Sequence, residues 1–203
     1  MKRALSLLAL CLAGCVSAPQ APPTVTPPAV SVPAAPEAAA AVDSAPEPGA
    51  EHHGPAYYLA LVQGDSDLID TEKYASGRTR LVADAQDQAE RCLALAPQDG
   101  QCHYARGIVY GLAAREQPVL AATLLKNMLD SLGKAEALSP GIDHAGPARL
   151  QSIVLLRAPS WPLGPGDAEA ALAAAKRAVA LDPEYPANQS MLREAQKKVT
   201  TDK

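Results

Sequence analysis

The sequence predicts an all-α domain built from helical-hairpin repeats, and three observations predict it. Alanine is abundant, aromatic residues make up only 3% of the chain and phenylalanine is absent. Strands draw on Val, Ile, Thr and aromatic residues, so this composition favours closely packed helices. Three segments, "ERCLALAPQ", "GKAEALSPG" and "KRAVALDPE", place Pro97, Pro140 and Pro183 at a constant spacing of 43 residues. Each proline follows a small residue by five positions (Cys92, Ala135, Ala178) and a leucine by two (Leu95, Leu138, Leu181). Self-similarity at a fixed period of this size marks a helical repeat. The small residue lets a neighbouring helix approach and the leucine is expected to bury on the same face. The proline then stops the helix, because it lacks an N–H and clashes with the preceding turn.

The chain begins with a targeting segment, residues 1–14. Lys2 and Arg3 precede an apolar run from Ala4 to Ala13, the layout of a secretory signal and too short to span a membrane. Leu12-Ala13-Gly14-Cys15 resembles the bacterial lipobox. That resemblance implies cleavage before Cys15 and lipidation of its thiol, anchoring the protein to a membrane without spanning it; an ordinary signal peptide is the alternative. Val16 stands where such lipoproteins often carry an inner-membrane retention Asp, which leans the expectation to the outer membrane, facing the periplasm. Residues 15–50 carry no Lys or Arg and consist mostly of Pro, Ala, Val and Ser. They are expected to be a disordered tether, since they cannot bury enough apolar surface to offset ordering entropy. Residues 51–203 remain for the repeat domain, one domain's worth of chain. A net charge of −4 without a basic, aromatic-interleaved stripe argues against a nucleic-acid partner.

Within the domain the pattern predicts about seven helices. A short one begins at Pro55 in "PAYYLALVQ". The next run from Arg80 to Ala96, Gln101 to Arg115 and Pro118 to Leu138. A fifth begins near Asp143 or Ala145 and ends near Leu156. A sixth spans Asp167 to Leu181, with Asp167 as its N-cap and Glu169 in its first turn. The last starts at Pro186, a favoured first helical position, and its charged face suits the polar end of a solenoid.

Few residues invite chemistry. The motifs of serine hydrolases, zinc proteases and phosphate loops are absent. "LGPGD" is no phosphate cradle, because Pro165 lacks the necessary N–H. Glu51, His52 and His53 are adjacent and have no distant ligand to complete a metal set, so no metal and no cofactor is expected. Asp143 beside His144 is more simply a helix N-cap than half of an acid–base pair. Arg115 and Glu116 read as a solvated pair, although an Arg115 facing a pocket would meet an anion bidentately. Trp161, the sole tryptophan, either plugs the gap between the fifth and sixth helices or forms a lip over an apolar cavity. The surface open to a ligand or partner is read as Trp161, Tyr104, Tyr110, Arg115, His144 and Arg149. Cys92 and Cys102 are either bridged, as export would permit, or two small buried core residues.

The repeat pattern resembles the tetratricopeptide repeat. Ala171, Ala175, Ala178 and Pro183 fit it, as do Ala85, Ala89, Cys92 and Pro97, and more loosely Met128, Leu132, Ala135 and Pro140. Gly107 and Tyr110 sit at that family's glycine and tyrosine positions. The usual period is roughly 34, so each unit carries about nine further residues, falling on "AAREQPVLAATLL" and "RAPSWPLGPGD". Between Tyr57 and Arg80 the pattern fades. From Cys92 onward, "CHYARGIVYGLAARE", "ALSPGIDHAGPARL" and "RAPSWPLGPGDAEAALAAAKRAVALDPEYPANQ" look like the T-component lipoproteins of TRAP transporters. The resemblance implies a non-enzymatic, lipid-anchored, periplasm-facing protein, trimeric in its family. It would accompany a periplasmic solute-binding protein and help present a small hydrophobic or organic-acid ligand. A tetratricopeptide-like scaffold for assembling other envelope proteins is the competing expectation, and an enzyme stands third.

Overall fold

The computed structural model describes residues 53–201. The signal segment, Cys15, the tether, and Glu51 and His52 lie outside the described residues. Seven α-helices follow one another: α1 (Pro55–Thr71), α2 (Ala75–Leu95), α3 (Gly100–Glu116), α4 (Ala121–Leu138), α5 (Gly146–Arg157), α6 (Ala168–Leu181) and α7 (Pro186–Thr201). A single 3₁₀ turn, Pro118–Leu120, leads into α4. The fold is all-α, as composition and period predict.

Local chemistry sets the helix starts. Pro55 occupies the first turn of α1, where its missing N–H costs nothing. Asp99 caps α3 by accepting from the Gln101 amide at 2.7 Å, and Asp167 caps α6 by accepting from Ala170 at 2.9 Å. The three repeat prolines follow the ends of α2, α4 and α6, as their stop function requires. Two helices are longer than predicted. α1 runs on to Thr71 through the polar "GDSD", and α2 begins at Ala75. The stretch where the repeat pattern fades is therefore a regular helical hairpin.

Helices pack in sequence as antiparallel pairs, α1 with α2, α3 with α4 and α5 with α6, and α7 closes the row against α5 and α6. α1 and α3, the first helices of the first two pairs, lie side by side. Small residues make this stacking close. Cys92, Ala135 and Ala178 are fully buried, as are Ala85, Ala171 and Ala175. At Gly107 an added Cβ would lie 2.8 Å from Leu132 Cδ2, and Leu132 is itself fully buried. Only glycine lets α3 rest on α4 there. The main core joins Leu59 and Val62 of α1 to Tyr104 and Val109 of α3, Leu132 of α4 and Val154 of α5. A smaller cluster ties Ala175 of α6 to Met191 and Ala195 of α7. Cys92 and Cys102 form a disulfide that staples α2 to α3. These clusters, the staple and the interhelical ion pairs all fall within one compact unit with its own core.

Two expectations are corrected. Leu95, Leu138 and Leu181 do not bury with the small residues; they are 43–51% exposed. Each is the last residue of its helix, beyond the turn a neighbouring helix covers. Asp143 is not an N-cap. Asp143, His144 and Ala145 are three consecutive residues in the left-handed region, with φ of 47°, 54° and 63°. Ala145 occupies the cap position of α5, and no side chain caps that helix.

Candidate functional site

The first helices of the pairs line the concave face. Between α1, α3 and α5, with α4 behind, lies a cleft of about 890 Å³. Its floor is apolar, from Ile108 and Leu112 of α3 and Leu125 and Met128 of α4. Leu150, Ile153 and Val154 of α5 form one wall, and Gln63, Ser66 and Asp67 of α1 face them. Gly111 lies on the floor, where a side chain would intrude. Apolar walls with a few fixed polar groups are the usual make-up of a small-molecule site.

Besides those of the α1 wall, polar groups sit at the two ends. At the end toward the α5 N-terminus, Arg149 is nearly buried and directs its guanidinium onto the left-handed turn. Nη1 donates to the carbonyls of Asp143 and His144 at 3.0 and 2.9 Å, and Nη2 donates to Asp143 Oδ2 at 2.8 Å. The Tyr104 hydroxyl donates to the same Oδ2 at 2.6 Å. Burial, and then the hydrogen bond and charge of Asp143, push the Tyr104 phenol far up, so it stays protonated as a donor. Arg149 also lies 4.9 Å from the centroid of the Tyr185 ring, a cation–π contact. Behind it Asn188, fully buried, donates through Nδ2 to the carbonyls of His144, Ala178 and Asp182 at 3.0–3.1 Å. Left-handed non-glycine residues persist only when their surroundings over-determine them, and these contacts do so.

At the other end, the C-termini of α3 and α5 bring Arg115 and Arg157 to the mouth. Each has a partner at its outer side: Arg115 Nη1 to Asp70 Oδ1 at 2.8 Å, Arg157 Nη2 to Glu194 Oε2 at 3.4 Å. Both ion pairs are largely exposed, so each guanidinium retains donors for an incoming anion. Arg115 does not pair with Glu116. Glu116 instead receives Arg78 Nε at 3.0 Å, joining α2 to α3.

Tyr104, Arg115 and Arg149 therefore meet in one cleft, and the other three residues of the expected surface lie elsewhere. Trp161 neither plugs the gap between α5 and α6 nor lines the cleft; it stands 87% exposed. Its loop closes on backbone alone. The Gly166 amide donates to Pro159 O at 2.8 Å, and the Asp167 amide to Leu155 O at 2.8 Å. A Cβ at Gly164 would sit 2.7 Å from Pro159 O. The loop turns on itself and leaves the indole outside, and only its base, Ala158 and Pro159, reaches the cleft. Tyr110 lies off the cleft and is held by Arg106 Nε at 3.2 Å. His144 faces a second hollow of about 570 Å³, with Ile142, Gln101 and Leu181. There its Nδ1 lies 2.8 Å from Asp182 Oδ2 and its ring stacks on Tyr185.

Asp143, Arg157 and Asn188 are site residues that sequence reasoning missed. Asp143 was visible only as a generic cap beside a histidine, and Asn188 carried no signal. Among the described residues, no three His, Cys, Asp or Glu side chains gather as a metal would need. No protein-family model matches the chain, and no curated protein matches it.

Proposed function

We propose that the domain is a non-enzymatic binding module of the bacterial cell envelope, lipid-anchored through Cys15. Its concave cleft takes a small amphipathic ligand with an acidic group, which it presents to or receives from a periplasmic solute-binding protein. This would be the part played by the accessory T-component of TRAP transporters. The observation that carries the reading is the cleft itself. Its volume of about 890 Å³ suits a small molecule, its floor is apolar, and two arginines stand at its mouth. The hydroxyls that line it belong to Ser66 and Tyr104, and Tyr104 spends its proton on Asp143. That is consistent with binding rather than turnover.

Trp161 is the wrong reporter for this cleft, because it stands outside it. Calorimetric titration with a series of apolar monocarboxylates is the appropriate test. Binding should be lost in Gly111→Leu, whose side chain fills the floor. Room for it comes from Met128, whose flexible thioether end is what a Cβ at Gly111 would meet, at 3.0 Å. Arg115→Gln should weaken binding of the acids and spare their amides. Absence of any heat or thermal shift across the series would reject the ligand reading and leave the scaffold role, in which the cleft takes a segment of another envelope protein.

A further inference from the structure

The most exposed large apolar side chains are not scattered. Tyr74 lies in the turn between α1 and α2, Val119 between α3 and α4, and Trp161 and Leu163 between α5 and α6. Every turn that joins the two helices of a pair thus carries at least one. Val119 is 97% exposed, Trp161 87% and Leu163 76%, so these are protrusions and not partly covered core.

The three turns share one edge of the row. Arg115, at the end of α3, reaches Asp70 at the end of α1, and Arg78 of α2 reaches Glu116 of α3. Arg115 and Arg157 meet at one cleft mouth, which brings the end of α5 to the same side. The chain enters the domain at the opposite edge, where Pro55 O lies 3.8 Å from Cys92 Sγ. The tips are also held in place. Leu120 N donates to Gln117 O at 2.9 Å, and the Trp161 loop is closed by the backbone bonds given above.

We propose that this edge docks onto a zwitterionic lipid surface, seating Trp161, Leu163 and Val119 at headgroup depth. Three properties select a bilayer over a protein. The apolar groups stand on separate turns with charged residues between them, whereas a protein interface needs a contiguous, charge-depleted centre. A fluid interface accepts separate protrusions, and it is where Trp and Tyr rings are enriched. Two cations beside the tips are already paired, Arg115 with Asp70 and Arg78 with Glu116, so they add little field to draw anionic lipid. The 39 residues from Cys15 to His53 reach at most roughly 130 Å. That exceeds the approximately 25 Å length of α1, so the tips can face the same surface that would hold Cys15. The inference is independent of what fills the cleft.

Trp161, as the sole tryptophan, reports the contact directly. Residues 51–203 are titrated with phosphatidylcholine vesicles in the presence of 0 to about 1 M salt, a range that removes surface electrostatics. The expected result is a blue shift of Trp161 emission that persists in salt and is quenched by lipids brominated near the headgroup end. Val119→Ser and Leu163→Ser should each lower lipid affinity at least about tenfold without changing the melting temperature, and Gly111→Leu should leave it unchanged. Three outcomes would overturn the proposal. They are no emission change at millimolar lipid, binding confined to anionic vesicles and abolished by salt, and a blue shift that grows with protein concentration in the absence of lipid.

Discussion

Replacing Arg149 with methionine keeps most of the side-chain volume and removes the charge. The native guanidinium satisfies two carbonyls of the left-handed turn and one carboxylate oxygen, at 2.8–3.0 Å. Hydrogen bonds to a charged donor contribute ~1.5–3 kcal/mol each when their acceptors are left buried, and breaking one partner of a buried ion pair costs ~3–5 kcal/mol. Asp143 is 31% exposed on its side chain, so water recovers part of this and the lower end applies. The expected loss is about 3 kcal/mol. The same change should also release the turn, whose three left-handed residues each hold ~1–2 kcal/mol of strain. Urea denaturation followed by circular dichroism gives the first number. A cycle with Asp143→Asn, which removes the charge that Arg149 balances, gives the coupling between the two side chains. The double variant should be at least about 1 kcal/mol more stable than the two single losses predict. A loss under about 1 kcal/mol for Arg149→Met, or strict additivity in the cycle, would refute the idea that this network holds the end of the cleft.

Glu136 of α4 predicts an acid limb. Its carboxylate accepts from Gln151 of α5 at 2.7 Å and from Arg177 of α6 at 2.7 Å. Burial pushes its pKa up, but the hydrogen bonds and charge of its partners outweigh that and leave it below the ordinary 4.5. A depressed folded value means the stabilisation is complete above the unfolded pKa and is lost as pH falls through the folded one. Denaturation midpoints of Glu136→Gln should therefore fall less with acid than those of the parent. The disulfide closes a loop with a sequence separation of 10, worth roughly 2–3 kcal/mol in chain entropy. Thiol titration of the denatured domain should find none before reduction and two after it, with the melting midpoint falling on reduction. Ser152 Oγ is buried with no hydrogen-bond partner among the described residues, so Ser152→Ala should stabilise the domain by about 1 kcal/mol, read as a higher urea midpoint at unchanged slope.

The repeat was legible because its constraint is steric and recurs. Cys92, Ala135 and Ala178 are all fully buried, and close helix packing writes itself into sequence as a small residue at a fixed distance from a proline. Leu95, Leu138 and Leu181 recur just as regularly and misled, since periodicity reports equivalent positions and not buried ones. Helix caps with a single local partner were legible too, as at Asp167. The left-handed turn was not, because what stabilises it comes from Arg149, six residues on, and from Asn188, on another helix. Site residues divided along the same line. Tyr104 and Arg149 meet through Asp143, a contact that exists only once α3 and α5 are stacked, and Trp161 drew attention through rarity, which says nothing about burial.

The three joints along the row differ in kind. The first and second pairs are stapled by Cys92–Cys102. The second and third are bridged by Glu136 with Gln151 and Arg177. The third pair and α7 are clasped by the neutral amide of Asn188. A solenoid behaves approximately as a one-dimensional chain of nearest-neighbour couplings, and here the couplings are chemically unlike. Reductant acts on the first alone, which also keeps the ion pairs Arg78–Glu116 and Arg115–Asp70, while the third adds Arg157–Glu194 to its amide clasp. Amide exchange should then show reductant raising opening first at the α2–α3 joint, so that the redox state of the surroundings bears on one end of the row and not on the other.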